Sequence, residues 1–389
     1  MPIAIQNLVV LGDSLSDIGI KREAPTGMFA RAGGMMRTNE IGRYSDGKNW
    51  TDFLVEWMGG DPLVRATRAE TESATAPHRK MTDNPLVIGT RAGDLDPVGY
   101  SNFAEGGAIA ASDWTPKLGA LGTLKQQVDA YIAARRKLLG EDIKATGKTS
   151  RKYPLRRTYT IAGTATHGYD GPTLHIIWIG LNDLITAKRP VPDSGADKPG
   201  VGVGPMVQEI HDLINQIPNS LPTNPSDEHF LLVDLPSPMV SVRFQERSID
   251  KGEEAVEDAV KKVAKFNDAL HYTATHWPAP GPEDGPGATP ANISIVAMAD
   301  FMQHVFDHAK EFELQKLPQK HGPVRYLGMA ENMPDPGLRR AMTTSDLAHP
   351  TEAVYQLIAR QIVDVMLTKY TLGQLNPQSW PALRPYPNV

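Results

Sequence analysis

The chain alternates short, uninterrupted apolar runs with longer amphipathic stretches, and that alternation restricts its fold more than any other feature. Leu8-Val9-Val10-Leu11, Ile176-Ile177-Trp178-Ile179 and Leu231-Leu232-Val233 carry no polar residue. A strand with one wet face alternates polar and apolar side chains, whereas a strand covered on both faces does not. Strands are expected at Ile5–Leu11, Tyr100–Ala104, Thr173–Ile179, Phe230–Leu235 and Ile293–Met298. Helical patterns lie between them. Trp50, Phe53, Leu54 and Trp57 recur at i, i+3, i+4 and i+7 within Asn49–Met58, which puts them on one helix face. Further helices are expected over Leu121–Leu139, Met206–Ile217 and Glu253–His276, from about Phe301, and from about Thr351 to Tyr370. Strands that alternate with helices predict an α/β protein with a mostly parallel five-stranded sheet, covered by helices on both faces.

Three segments break the rhythm. Residues 61–97 are polar and rich in Thr, Arg and Pro, 140–172 are basic and then Thr-rich, and 188–204 are rich in Pro and Gly. They are expected to be surface loops inserted into one domain spanning 1–389. Pro199-Gly200-Val201-Gly202-Val203-Gly204 has no buried strand before it, so a flexible loop is expected there, not a dinucleotide site. The basic cluster Arg135, Arg136, Lys137, Lys144, Lys148, Arg151 and Lys152 reads as an exposed loop, and Arg243–Glu254 as the solvated start of a helix.

Composition removes several function classes. Forty Lys and Arg against 45 Asp and Glu leave a net charge of −5, which does not suit a phosphate backbone, so no nucleic-acid partner is expected. Cysteine is absent, which excludes a disulfide framework, Cys-ligated metals and a Cys nucleophile. No apolar stretch approaches the roughly 18 residues of a membrane span. The first apolar run has no Lys or Arg before it and is interrupted by Gln6 and Asn7, unlike a secretory leader. A cytoplasmic location is expected on this sequence, and secretion if a leader has been removed.

The residues able to do chemistry fall at strand ends. Gly12-Asp13-Ser14-Leu15 follows the first strand, which delivers Ser14 to the carboxyl edge of the sheet, where α/β folds place their sites. Read alone, this serine describes a helix cap more readily than a nucleophile. Asp346-Leu347-Ala348-His349 stands just before the last helix. An Asp three residues before a His can fold back and accept the imidazole Nδ1–H, leaving Nε2 to take a proton from a serine, although this spacing also arises by chance. Asn182, in Gly180-Leu181-Asn182-Asp183 after the third strand, can donate its amide to a developing oxyanion. A glycine in Asn102–Ala108 can offer a backbone N–H without a side chain in the way.

These blocks, in this order, resemble the GDSL esterase/lipase family of the SGNH hydrolase superfamily. Gly42–Trp50, Leu231–Pro236 and Phe266-Asn267 are softer similarities, and the likeness runs from about residue 8 to 368. The resemblance implies a flavodoxin-like three-layer α/β/α sandwich. It implies Ser14 as nucleophile, His349 as general base and then acid, and Asp346 as its orienter. It also implies an oxyanion hole from the N–H of Ser14, Gly107 and Asn182, with Gly106 as the alternative to Gly107. Ile20 and Asp46 depart from the family pattern at positions where Asn is common, and both are expected near the pocket rim. No cofactor and no metal is expected. His304 and His308, at i and i+4, are the alternative metal pair, but no Glu follows His304.

The function expected is a serine esterase acting on a small-molecule acyl ester through a Ser-His-Asp triad and an acyl-enzyme. The polar insertions and tryptophans such as Trp50 and Trp114 point to short-chain or carbohydrate-linked acyl groups. A lipase, phospholipase or acyltransferase on the same fold is the alternative, and a non-catalytic binding protein is the alternative of a different class.

Overall fold

In the computed structural model, the described residues are 2–23, 38–39, 41–60, 86–88, 98–114, 121–139, 158–161, 165–168, 171–193, 198–276, 292–314, 342–346, 348–373 and 375. The five expected strands are present as β2 (Asn7–Gly12), β4 (Val98–Asn102), β7 (Thr173–Trp178), β8 (Glu228–Val233) and β9 (Ile293–Val296). They are mutually parallel in the spatial order β4-β2-β7-β8-β9. In chain order that is 2-1-3-4-5, the doubly wound flavodoxin-like arrangement.

A sixth strand, β3 (Leu86–Ile88), joins the β4 edge antiparallel. It lies inside residues 61–97, expected to be loop. Residues 140–172 likewise contain an antiparallel hairpin, β5 (Thr158–Ile161) with β6 (Ala165–Gly168). The rest of both segments lies outside the described residues, except Gly171 and Pro172 before β7. Three-residue and four-residue strands are too short to show a period, which is why composition hid them. Near the chain ends, β1 (Ile3–Ile5) pairs parallel with β10 (Tyr370–Leu372).

The helices are α1 (Trp50–Trp57), α2 (Leu124–Leu139), α3 (Gly204–Ser220), α4 (Val242–Lys251), α5 (Glu254–Thr275), α6 (Met298–Asp307) and α7 (Glu352–Leu367). α1, α7 and α6 contact one another in one row, and α2, α3 and α5 in another, which gives the two outer layers. Several boundaries shift by a few residues from expectation, and two of them bear on the site. The last sheet strand stops at Val296 and α6 begins at Met298, ahead of Phe301. The charged stretch after Val242 is a helix of its own, because Gly252 at φ 86° breaks the chain before α5.

All six positions of β2, β7 and β8 are buried. Leu8, Val10, Leu11, Ile176 and Leu231 are inaccessible to water, and each large side chain so buried is worth about 1.5–3 kcal/mol. The order reverses between β2 and β7, so their onward connections diverge and leave a crevice at the carboxyl ends. The chain leaving β2 carries Ser14, and the chain leaving β7 carries Asn182.

Candidate active site

The exit from β2 is fixed by a side chain that the sequence reading missed. Gln127 of α2 donates to the carbonyl of Gly12 at 2.7 Å and accepts its N–H at 2.8 Å, completing the ladder where the strand ends. Beyond it the chain folds back on Asp13, whose carboxylate accepts the N–H of Leu15 and whose carbonyl accepts the N–H of Ser16. The backbone N–H of Ser14 has no acceptor among the described residues.

Asp17 ties this turn to the loop after β4. Its carboxylate accepts N–H groups from Gly19, Ile20 and Lys21 and, at 2.7 Å, from Gly106. Gly106 is therefore spoken for, and a side chain there would strike the Tyr44 ring. Gly107, at φ 80°, adopts a conformation that favours glycine, and its N–H has no acceptor among the described residues. Of the two glycines, Gly107 has the free donor.

His349 is held by a tight turn ahead of α7. Ser345 N–H donates to the His349 carbonyl, Thr351 N–H to the Thr343 carbonyl, and the Thr351 hydroxyl to the Met342 carbonyl at 2.6 Å. Thr351 also caps α7. Within the turn, Asp346 Oδ1 accepts the N–H of Ala348 and of His349 at 2.7 Å each, and Oδ2 lies 2.9 Å from His349 Nδ1. The other ring nitrogen, Nε2, lies 3.0 Å from Ser14 Oγ. The Tyr44 ring packs on the imidazole at 4.9 Å between centroids. Burial alone would raise the Asp346 carboxyl, but the imidazole charge and three hydrogen bonds hold it down at about 2. Residues 335 positions apart thus meet in one continuous contact from carboxylate to imidazole to hydroxyl.

Asn182 reaches the same place from β7. Its amide donates to Asp13 Oδ2 at 3.3 Å and to the Ala108 carbonyl at 3.2 Å, and its own oxygen accepts from Thr186. Both amide hydrogens have long-range acceptors rather than pointing into open space. Asp13 is buried, which pushes its carboxyl up to about 6 against the pull of the Leu15 N–H and of His349.

The sequence profile of the GDSL-like Lipase/Acylhydrolase family matches residues 8–362. The chain belongs to that family. It is an ester hydrolase. Among solved structures, it aligns with one assigned as a GDSL-like lipase from Parabacteroides merdae, at 11% identity and TM-score 0.42, covering 94% of this chain and 98% of that one. The lipase Lip_vut3 from a goat rumen metagenome aligns at 9% identity and TM-score 0.34, over 92% and 96%. No curated protein matches the chain.

Beside Ser14 and His349, this family member has a cavity of about 340 Å³. Its wall is mostly apolar, with Leu181, Ile185, Pro238, Val240, Phe244 and Met302 among the lining side chains. That volume is at the small end of the roughly 300–1,000 Å³ usual for small-molecule sites.

Several expectations need correction. Trp50 is wholly buried and donates to Ser16 Oγ, while Trp114 donates to the Ala187 carbonyl, and neither lines the cavity. Neither tryptophan therefore supports a carbohydrate subsite. Ile20 and Asp46 are not on the cavity wall; Asp46 instead accepts the first N–H of α7, from Glu352, at 2.7 Å. Arg135 is buried, not exposed. Lys144, Lys148, Arg151 and Lys152 lie outside the described residues, and so does the side chain of Lys137. The glycine-rich stretch is held in place, with Gly200 N–H on Asp113 and the Gly202 carbonyl on Arg189, whose guanidinium also grips Asp113 at 2.7 and 2.9 Å. The rings of His304 and His308 stack at 4.3 Å, and no group of three potential metal ligands gathers among the described residues.

Proposed function

We propose that the chain is a serine esterase in which Ser14 attacks the ester carbonyl while His349 Nε2 takes the hydroxyl proton. A bond forms between Ser14 Oγ and the carbonyl carbon, and the carbonyl electrons move onto oxygen. The N–H groups of Ser14 and Gly107 and the amide of Asn182 receive that charge. The intermediate collapses, the ester C–O bond breaks, and the leaving alkoxide takes the proton from His349. Water then attacks the acyl-enzyme with His349 again as base, which releases the acid and restores Ser14. Asp346 stays ionised throughout the working range and stabilises the imidazolium. For Asn182 to serve the oxyanion, it has to exchange one of its two long contacts for the substrate oxygen.

The single observation that carries this reading is the unbroken contact from Asp346 through His349 to Ser14, at 2.9 and 3.0 Å. The cavity volume favours an acyl group of short to medium length. The test is covalent labelling by a fluorophosphonate followed by peptide mass analysis. One adduct on Ser14, absent from Ser14→Ala, is expected. A protein that takes no label, or takes it elsewhere, is not using this serine.

A further inference from the structure

We propose that the cavity beside Ser14 selects esters that carry an anionic group, and that Arg243 is the residue that recognises it; the inference rests on the esterase reading above. Arg243 lines the same cavity as Ser14 and His349. It is exposed, and it has no hydrogen-bond or ion-pair partner among the described residues. Other long cations near the site are committed. Arg43 is paired with Asp52 at 2.9 Å through Nε, Arg189 with Asp113, and Lys21 with Glu105.

Helix stability does not account for this arginine. It is the second residue of α4, in a first turn that contains no acidic side chain. The positive end of a helix disfavours a cation, so an arginine there costs stability unless something else uses it. Among the described residues, Asp13 is the one carboxylate that lines the cavity, and its oxygens already accept from Leu15 and Asn182. The hydroxyls nearest along the chain are occupied as well, with Ser241 donating to the Pro238 carbonyl and Ser237 accepting from Met239. An apolar wall with one unspent guanidinium therefore fits a substrate with a hydrocarbon segment and an anion beside the ester. A carboxylate is the simplest such group, because it can take two parallel N–H bonds from arginine.

The anion can sit on the acyl part or on the alcohol part, and two substrate pairs separate the cases. The acyl pair is mono-4-nitrophenyl glutarate against 4-nitrophenyl pentanoate, equal in chain length. The alcohol pair is 3-(pentanoyloxy)benzoate against its methyl ester. In at least one pair the wild type should show kcat/KM about tenfold higher for the anionic member. In Arg243→Gln that ratio should fall to about one, and Arg243→Lys should keep part of it. Raising NaCl to about 0.5 M should narrow it in the wild type.

Equal rates on both members of both pairs, or a preference that survives Arg243→Gln, would overturn the proposal while leaving the esterase reading intact. If no ester is turned over, calorimetry decides the question without chemistry. Ser14→Ala should bind the glutarate ester more tightly than the pentanoate ester, and Ser14→Ala/Arg243→Gln should not. Equal binding there overturns the inference. A difference supports it even with the esterase reading gone.

Discussion

Two histidine–carboxylate pairs occupy opposite settings, one in the turn ahead of α7 and the other on β7 and β8. At the carboxyl edge, Asp346 holds His349 at 2.9 Å, and the other ring nitrogen meets Ser14. Toward the other end of β7 and β8, Glu228 holds His175 at 2.7 Å. There the imidazole stacks on Phe230, meets the edge of Tyr131 and is wholly buried, and its Nδ1 has no partner among the described residues. The pairings are similar in length. What differs is what the second nitrogen sees: a hydroxyl beside an open cavity in one case, closed core in the other. A His–carboxylate contact is thus no sign of catalysis by itself, and the role proposed for His349 rests on its place at the crevice edge.

Both histidine-paired carboxylates, Asp346 and Glu228, lie below their ordinary value, whereas the buried carboxylates without a histidine hydrogen bond lie above it. Asp13, Asp17 and Asp183 are buried with mainly N–H donors for company, and burial pushes them up to about 6, 6 and 7. Glu228 is just as buried, but the His175 hydrogen bond and charge, with help from Arg135 and Thr223, outweigh burial and hold it below its ordinary value.

The largest effect is expected from Ser14→Ala, which should lower kcat by about 10⁶-fold with an unchanged melting temperature. A residual rate near wild type would remove the distinction between the two pairs. Asp346→Asn should lower kcat about 10⁴-fold by presenting the wrong tautomer, and a loss under tenfold would mean that His349 needs no orienter. His175→Ala should do the reverse, costing about 3–5 kcal/mol of folding stability by stranding Glu228, measured by urea unfolding. The folded fraction should keep its kcat/KM, and a large loss there would make the inner pair functional. Asn182→Ala should cost about 2.7–4 kcal/mol of transition-state stabilisation, read from kcat/KM on a short nitrophenyl ester. An effect near zero would remove Asn182 from the oxyanion hole.

A separate effect is on stability against pH. Groups raised in the folded state, such as Asp13, Asp17 and Asp183, contribute stability below their unfolded value that is lost as pH rises through 6–7. Asp346 contributes stability above its unfolded value that is lost as pH falls toward about 2. The melting temperature should therefore be highest in mild acid and decline toward pH 8. A rise over that range would contradict the burial of the three carboxylates.

Much of the site was legible because its residues follow strands that announce themselves. Ser14 and Asn182 were placed on one edge by the apolar runs before them, and Asp346 and His349 by their spacing. Other parts carried no local signal. Gln127 looks like any helix-face glutamine, and only the tertiary fold puts it against Gly12. The resemblance already favoured Gly107 over Gly106, and only the fold adds that Asp17 takes the Gly106 N–H from across the loop. Arg243 belongs to a charged stretch with no local mark of a site, and only the placement of α4 brings its first residues to the cavity wall.

By itself the sequence determined the parallel sheet, the strand that presents Ser14, and the pairing of Asp346 with His349, because periodicity and short-range spacing are written along the chain. The tertiary structure alone decided which histidine faces the Ser14 hydroxyl, which backbone donors at the site have no acceptor among the described residues, and which cation on the cavity wall has no partner among them. Those are contacts between segments far apart in sequence, and they depend on how the helices pack over the sheet.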